Sequence, residues 1–508
     1  MHKNTVLSSS QASLAVGVAQ SGYGRESPID RSRFGSIAVI LRHFRSYLRD
    51  PAMSIGKPSG SHTHPARQRS ERQIQRAPES DASCRERLKA ALAEVITERG
   101  YSATTLSDVA ARGGISRSSF HREFSSLDDC LLETLESFAQ QLQARAISGY
   151  RQVPLKPPDR ETALRRALAT VLGMIAHRPA QSWLSLVEAR GASRPVVERC
   201  QQASFDLATL VSPGMSLPGD APALTPAVAQ AIIGGIWHVA YSHLRDDERA
   251  ALPAQGERLS AWVLSYLRGP LSQALEIGGR TTSKRSRPRP TSTAAETGAK
   301  PDGQSRSTRS RILQGTAITV SARGYHEVSV ADISKSAGIA TRTFYRHFQN
   351  KSVCVLAAYD HWYSSTRAVA VHSYDRTDAA AEVCDVIASF VSSVEKDPEM
   401  AHLAMVDVLA LGAVGRERHD RAIDDLASLL ARTFEAGPNE DVALKATAGA
   451  LWNALRSHAL QTHTKPEEDP TASLTYIALA PFIGADAAQS IAESNTSPLR
   501  SDPPSDER

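Results

Sequence analysis

One block of sequence occurs twice in this chain, 224 positions apart and without a gap. Gly100-Tyr101, Asp108-Val109-Ala110, Gly114-Ile115 and Phe120-His121-Arg122-Glu123-Phe124 return as Gly324-Tyr325, Asp332-Ile333-Ser334, Gly338-Ile339 and Phe344-Tyr345-Arg346-His347-Phe348. Whatever the first copy folds into, the second must fold into as well. A chain of 508 residues exceeds one ordinary core and has room for two units of about 200 residues each.

The periodicity is helical throughout. Leu88, Ala91, Leu92, Val95 and Ile96 recur at the spacing of one helical face, and Gly100 is placed to end that run. Thr104 or Thr105 can cap a second helix, with Asp108 near its positive end, and Gly113-Gly114 breaks it. Ser116 can cap a third, in which Phe120 and Phe124 anchor one face and leave Arg117, Ser118, His121 and Arg122 on the other. Two short helices around a glycine-bearing turn, with an apolar underside and a polar, cationic tip, are what a DNA-reading helix–turn–helix requires. Beyond each block the pattern predicts longer helices separated by Pro and Gly, near 160–177, 181–190, 195–211, 226–245 and 257–275. In the second half the corresponding segments are 352–371, 377–396, 399–411, 415–436, 441–463 and 471–483.

At these residues the chain resembles the TetR family of bacterial transcriptional regulators, whose DNA-binding segment reads T-x-x-D-I-A-x-x-A-G-V-S-x-x-x-(F/L)-Y-x-x-F-x-x-K. The stretch from Ser329 to Lys351 is similar almost throughout; Thr105 to Leu127 departs at His121 and Leu127. The resemblance implies an all-α chain of two tandem TetR-like units, each an N-terminal three-helix helix–turn–helix domain followed by a helical regulatory domain. The expected boundaries are a disordered basic tail over 1–80, DNA-binding domains over 81–130 and 307–354, regulatory domains over 131–276 and 355–486, a flexible basic linker over 277–306 and a disordered tail over 487–508. Within the first tail, Ile37 to Leu48 could form a short helix, and Met53 could serve as a start.

The resemblance further implies a sequence-specific DNA-binding regulator, with repression the expected sign and double-stranded DNA the partner. The expected DNA-binding residues are Thr105, Ser116, Arg117, Ser118, Ser119, His121 and Arg122 in the first copy. In the second they are Ser329, Thr341, Arg342, Thr343, Tyr345, Arg346 and Lys351. Tyr345 resembles the family's phosphate-contacting tyrosine and Lys351 its backbone-binding lysine, so the first copy is expected to grip DNA less tightly. Trp183, Trp237, Tyr241, Phe390, Phe434 and Trp452 are the aromatic candidates for a pocket taking a small apolar effector, although aromatics at helical spacing are more often plain core. The tandem could act as an intramolecular pseudo-dimer, or each half could pair with another chain as a homodimer. The alternative is a non-enzymatic adaptor or scaffold in which one or both units no longer bind DNA.

The net charge of +5 is unevenly distributed: residues 1–80 hold 12 Lys and Arg against 5 Asp and Glu, and residues 277–309 hold 8 against 2. Cationic stretches of this kind can gather along a polyanion by counterion release, or simply stay solvated. Five scattered cysteines without a C-x-x-C pair indicate neither a disulfide framework nor a metal site, and fit the cytoplasm. No apolar run approaches a membrane span. Gly56-Lys57 lacks the rest of a phosphate loop, His62-Thr63-His64 lacks supporting residues for a metal, and no catalytic motif is present, so no cofactor and no enzyme is expected.

Overall fold

The computed structural model describes residues 77–152, 159–211, 224–267, 303–371, 379–435, 437, 440–461 and 470–496. The helix expected at Ile37 to Leu48, His62-Thr63-His64, and most of the expected basic tail and linker lie outside them. Among the described residues every regular element is a helix. None of these helices is long and apolar enough to cross a membrane.

In the first half the order is α1 (Ala77–Arg99), α2 (Leu106–Arg112), α3 (Arg117–Glu123), α4 (Leu127–Arg151), α5 (Asp159–His177), α6 (Pro179–Leu186), α7 (Arg194–Val211), α8 (Pro226–Arg245) and α9 (Gln255–Ser265). The second half repeats it as α10 (Gly303–Arg323), α11 (Val330–Ser336), α12 (Thr341–His347), α13 (Lys351–Val371), α14 (Ala379–Lys396), α15 (Pro398–Met405), α16 (Ala413–Thr433), α17 (Asp441–Gln461) and α18 (Pro470–Ile483), and adds α19 (Ala485–Thr496).

Three sequence expectations are corrected. The segments expected as single helices over 181–190 and 399–411 both break, at Val187 and Val406, into short 3-10 turns over Glu188–Gly191 and Asp407–Leu411. The expected tail from 487 begins instead inside α19, which buries Ala485, Ala488 and Ala492. Alanine fills that seam, and a seam of alanines among polar residues gives little hydrophobic contrast to read.

Each half buries its own underside. Leu88, Leu92, Val95 and Ile96 of α1 close over Val109, Phe120, Phe124 and Leu131; Ile312, Val320, Ile333, Phe344, Phe348 and Val355 do the same in the second copy. The halves also pack on each other, chiefly through α8 against α17, with α9 and α18 joining the contact. Small residues permit the approach. A Cβ on Gly235 would lie 2.4 Å from the Ala446 carbonyl oxygen, and one on Gly449 would lie 2.4 Å from the His238 Cβ, so any larger residue would force α8 and α17 apart.

Several polar groups buried in this contact find partners across it. Trp262 Nε1 donates to Thr447 Oγ1 at 2.9 Å, the Tyr266 hydroxyl to the Ile477 carbonyl at 3.0 Å, and the Tyr476 hydroxyl to the Tyr266 carbonyl at 2.6 Å. The Tyr241 hydroxyl and Arg245 of the first half both bond Asp420 of the second, at 2.7 and 3.1 Å.

Candidate nucleic-acid interface

The turn before each third helix is set by one glycine. Gly114 and Gly338 have φ of 63° and 62°, a conformation that costs an L-residue about 1–2 kcal/mol. The Ile115 and Ile339 amides close each turn on the carbonyls of Ala110 and Ser334, at 2.9 and 3.0 Å. An arginine from the preceding long helix then clamps it. Arg87 donates to the Gly113 carbonyl at 2.6 Å, and Arg311 to the Ala337 and Gly338 carbonyls at 2.7 and 2.8 Å.

Two further arginines repeat with the same spacing. Arg99 and Arg323 pair with Asp108 and Asp332 at 2.9 and 3.1 Å, while Arg85 and Arg309 lie over the rings of Phe124 and Phe348 at 4.6 and 5.2 Å. These positioning arginines escaped the motif reading because they sit outside the helix–turn–helix. Their signal was nonetheless present, as matched residues 224 apart.

Thr105 and Ser329, expected at the DNA, are spent on helix caps. Each hydroxyl accepts from the amide three residues on and donates to the same aspartate, and that carboxylate accepts in return from the cap residue's own amide. Such a box stabilises a helix start by about 1 kcal/mol. It also holds both carboxyls below their ordinary range, Asp332 at about 2, the cap hydroxyl being the largest cause and the arginine a smaller one.

Ser116 likewise caps α3, accepting from the Ser119 amide at 3.1 Å, with its hydroxyl also engaging those of Ser118 and Ser119. Ala340 stands at this position in the second copy and provides no side-chain cap. The start of α12 therefore keeps its amides free of an internal serine acceptor.

Around each third helix the two faces separate cleanly. Phe120, Phe124, Phe344 and Phe348 are buried, whereas Arg117, Ser118, His121, Arg122, Thr341, Arg342, Tyr345 and Arg346 are exposed, and Ser119 and Thr343 are half-buried. Tyr345 is 56% exposed, unusually open for a tyrosine. His121 occupies the matching place, each ring meeting its phenylalanine neighbour edge-on at 5.9 and 5.5 Å. Among the described residues Arg117, Arg122, Arg342 and Arg346 make no hydrogen bond or ion pair, unlike Arg85, Arg87, Arg99, Arg311 and Arg323 behind them.

Lys351 is not directed outward as the resemblance implied. Its ammonium donates to the Tyr325 and Val328 carbonyls at 2.6 and 2.7 Å and lies 4.0 Å from the Tyr325 ring centre. Burial lowers its pKa. The lysine thus latches the start of α13 to the turn before α11. The first copy, with Leu127 there, fastens the same turn differently: the Tyr101 hydroxyl and Ser193 both donate to Asp128, each at 2.6 Å.

The expected pocket aromatics do not converge. Phe390 borders a cavity of about 10 Å³ with Val386, Ile387, Leu426, Leu451, Leu455 and Leu474. Trp452 packs edge-on against His419, Phe434 stacks on Phe482 at 4.4 Å, and Trp237 packs with Ala208, Ala229 and Ile233. Tyr241 bonds Asp420 across the halves, and Trp183 donates to Glu188 at 3.3 Å beneath Arg416. These rings are taken by the core and by contacts between the halves, which no spacing within one helix reveals.

The fold and its two exposed tips define a helix–turn–helix protein built twice over. The sequence profile described as "Bacterial regulatory proteins, tetR family" matches residues 88–134 and again 312–358. Both helix–turn–helix segments thus match the N-terminal domain of the TetR family, which this chain carries twice in tandem. It is similar to the HTH-type transcriptional activator FasR of Mycolicibacterium smegmatis, at 30% identity over 131 residues; the match covers 24% of this chain and 58% of that relative. Among solved structures it is similar to the fatty acid degradation regulator FadR from Bacillus halodurans, with 16% identity, a TM-score of 0.30, and coverage of 36% of this chain and 97% of the other. A TetR-like transcriptional regulator from Rhodococcus matches at 20% identity and a TM-score of 0.28, covering 37% and 93% respectively.

Proposed function

We propose that the chain is a cytoplasmic, sequence-specific DNA-binding transcriptional regulator, acting as a repressor, in which α3 and α12 enter the major groove. One observation carries this reading: four arginines on the two exposed tips, Arg117, Arg122, Arg342 and Arg346, have no partner among the described residues, while the arginines behind them are all engaged. Unpaired guanidiniums at a helix tip suit guanine edges and phosphates. Tyr345, Thr341 and Thr343 would add hydroxyl donors in the second copy; Ser118, Ser119 and His121 take their places in the first.

In this reading one chain is its own dimer. The contacts between α8 and α17, and the cross-half bonds of Trp262, Tyr266 and Tyr476, support it. Heads so joined would span half-sites about 34–36 Å apart, and their unlike tips would favour an asymmetric operator. Small-molecule control fits the second body best. Its apolar cavity has room for about one water, so a ligand would enter by parting α14 from α17 and α18.

The test is selection of bound genomic fragments by the full chain, followed by gel shifts. Arg342→Ala with Arg346→Ala is expected to abolish discrimination at one half-site, and Arg117→Ala with Arg122→Ala at the other. Light scattering of the free protein should give a single-chain mass. Absence of any sequence preference at moderate salt would sink the regulator reading in favour of a scaffold.

A further inference from the structure

The two reading heads touch each other at the turns that precede α2 and α11. His326, in the turn before α11, meets the Tyr101 ring of the first head edge-on at 5.7 Å and the Tyr325 ring of its own head at 5.4 Å. Both tyrosines are anchored in turn, Tyr101 by its hydroxyl to Asp128 at 2.6 Å and Tyr325 to the Ser352 hydroxyl at 2.7 Å. His326 Nε2 lies 3.1 Å from the Gly191 carbonyl of the first half, and a ring nitrogen facing a carbonyl oxygen must be the N–H donor. Ser102 stands at the matching position of the first copy, so this clip is made once, from the second head alone.

A second contact also joins the first half to the second head. The last carbonyls of a helix have no partner inside it. At the end of α10 the Val320 carbonyl is taken by the Gly324 amide at 2.7 Å, but those of Ser321 and Ala322 are taken by Arg194 at the start of α7, the first at 3.3 Å. A guanidinium there also meets the negative end of the helix dipole. Glu198 holds Arg194 in place at 2.9 Å. The turn that carries Gly191 is itself fixed from three directions. Glu188 accepts from the Tyr101 amide of the first head and from Arg416 of the second half, both at 3.0 Å, and a Cβ on Gly191 would lie 2.4 Å from the Leu409 carbonyl oxygen. Both heads and both bodies therefore converge on residues 188–194.

We infer that the segment from Glu188 to Arg194, together with His326 of the second head, is a latch that holds the two heads at one separation and one mutual orientation. Arg194 and His326 are positioning residues: neither lies on a recognition tip, and both act through the placement of α10 and the turn that follows it. Linked reading modules reinforce each other only when their spacing matches the sites; a stiff link concentrates that gain on one spacing, and a loose link spreads it. Resting on the DNA-binding reading, the latch makes this chain select operators by half-site spacing as well as by sequence.

The latch is tested first without DNA. Nitroxide labels are placed on Ala111→Cys and Lys335→Cys, exposed and corresponding positions of α2 and α11, in a full chain whose half-buried Cys84, Cys200 and Cys384 are replaced by serine. Pulsed electron resonance is expected to give one narrow distance distribution, broadened about twofold in Arg194→Gln with His326→Ala and unchanged in the surface control Arg421→Gln. Both altered side chains are exposed, and each single variant is expected to give part of the broadening, so a misfolded double variant does not end the test. A broad distribution before either latch residue is changed, or a narrow one afterwards, would overturn the latch. The second arm takes a fragment recovered by genomic selection and moves its half-sites apart by about five base pairs, half a helical turn. Relative to its own unshifted fragment the natural chain is expected to lose roughly 100-fold in affinity, and the double variant less than about tenfold. Equal losses would overturn the spacing role. Recovery of no preferred fragment would instead defeat the regulator reading, and the label distances would still decide the latch.

Discussion

Replacing Arg311 by alanine removes both bonds that hold the recognition turn of the second copy, those to the Ala337 and Gly338 carbonyls at 2.7 and 2.8 Å. A shielded hydrogen bond from a charged donor contributes about 1.5–3 kcal/mol. Here the Gly338 bond is exposed and the Ala337 bond half-buried, so water replaces much of what is lost and about 1–2 kcal/mol remains for the pair. That is roughly a 5–30-fold shift toward an opened turn. Hydrogen exchange at the Ile339 amide, bonded to the Ser334 carbonyl at 3.0 Å, reads the opening directly.

A second substitution sharpens the test. A Cβ on Gly338 would lie 2.9 Å from the same Arg311 Nη2, so Gly338→Ala both strains φ and displaces the clamp. The double variant then loses the clamp only once, and its destabilisation should fall short of the sum of the two single changes. Strict additivity, or an Ile339 exchange rate unchanged in Arg311→Ala, would refute the clamp.

Trp262→Phe keeps an aromatic ring but shrinks the buried indole and deletes the bond to Thr447; urea unfolding should register a loss of at least about 1–3 kcal/mol, the cavity adding to the lost bond. Gly449→Ala, which drives a methyl to 2.4 Å from the His238 Cβ, should prise α8 from α17 and cost at least as much, measured the same way. Acid should weaken the contact between the halves early. His238, held at about 3 by burial with His419, Arg190 and Arg245 adding and Asp420 opposing, stays neutral when folded yet takes a proton when unfolded as pH falls below 6.5, and buried His419 shifts the same way. Stability should therefore decline from pH 6.5 downward, by up to about 1.4 kcal/mol per pH unit for His238, and His238→Gln should make the slope between pH 6.5 and 5 shallower. The second capping box responds lower still: Asp332 supports α11 above pH 3.8 and loses that contribution as pH falls toward about 2, an effect absent from Asp332→Asn when helix content is followed by circular dichroism.

The heads were legible because their physics is local. Phe120 with Phe124, and Phe344 with Phe348, announce a buried face by spacing alone, and Gly114 and Gly338 mark the turn that only a residue without Cβ adopts cheaply. Lys351 was read from the resemblance as a contact to the DNA backbone, whereas two carbonyls at the Tyr325–Val328 turn are in reach of its flexible stem. The pocket aromatics were misread for the opposite reason. Tyr241, Trp183 and Trp452 are committed to groups hundreds of positions away or in neighbouring helices, and helical spacing carries no record of such partners. The helix Ala485–Thr496 was lost because its inner side is mostly alanine, with Ile491 the one larger apolar residue beside it.

The close approach of Gly235 and Gly449 to backbone and side chain of the opposite half ties the two copies together as heritable cargo. Each glycine is accommodated by a different neighbour, so neither half presents a surface that is a replica of the other's, and a change in one half is judged by what the other can absorb. Fusion also fixes their ratio at one to one in every cell that translates the message. Duplicates living on separate genes can drift apart in dosage and be lost singly; these two can only be kept, altered or discarded as a pair.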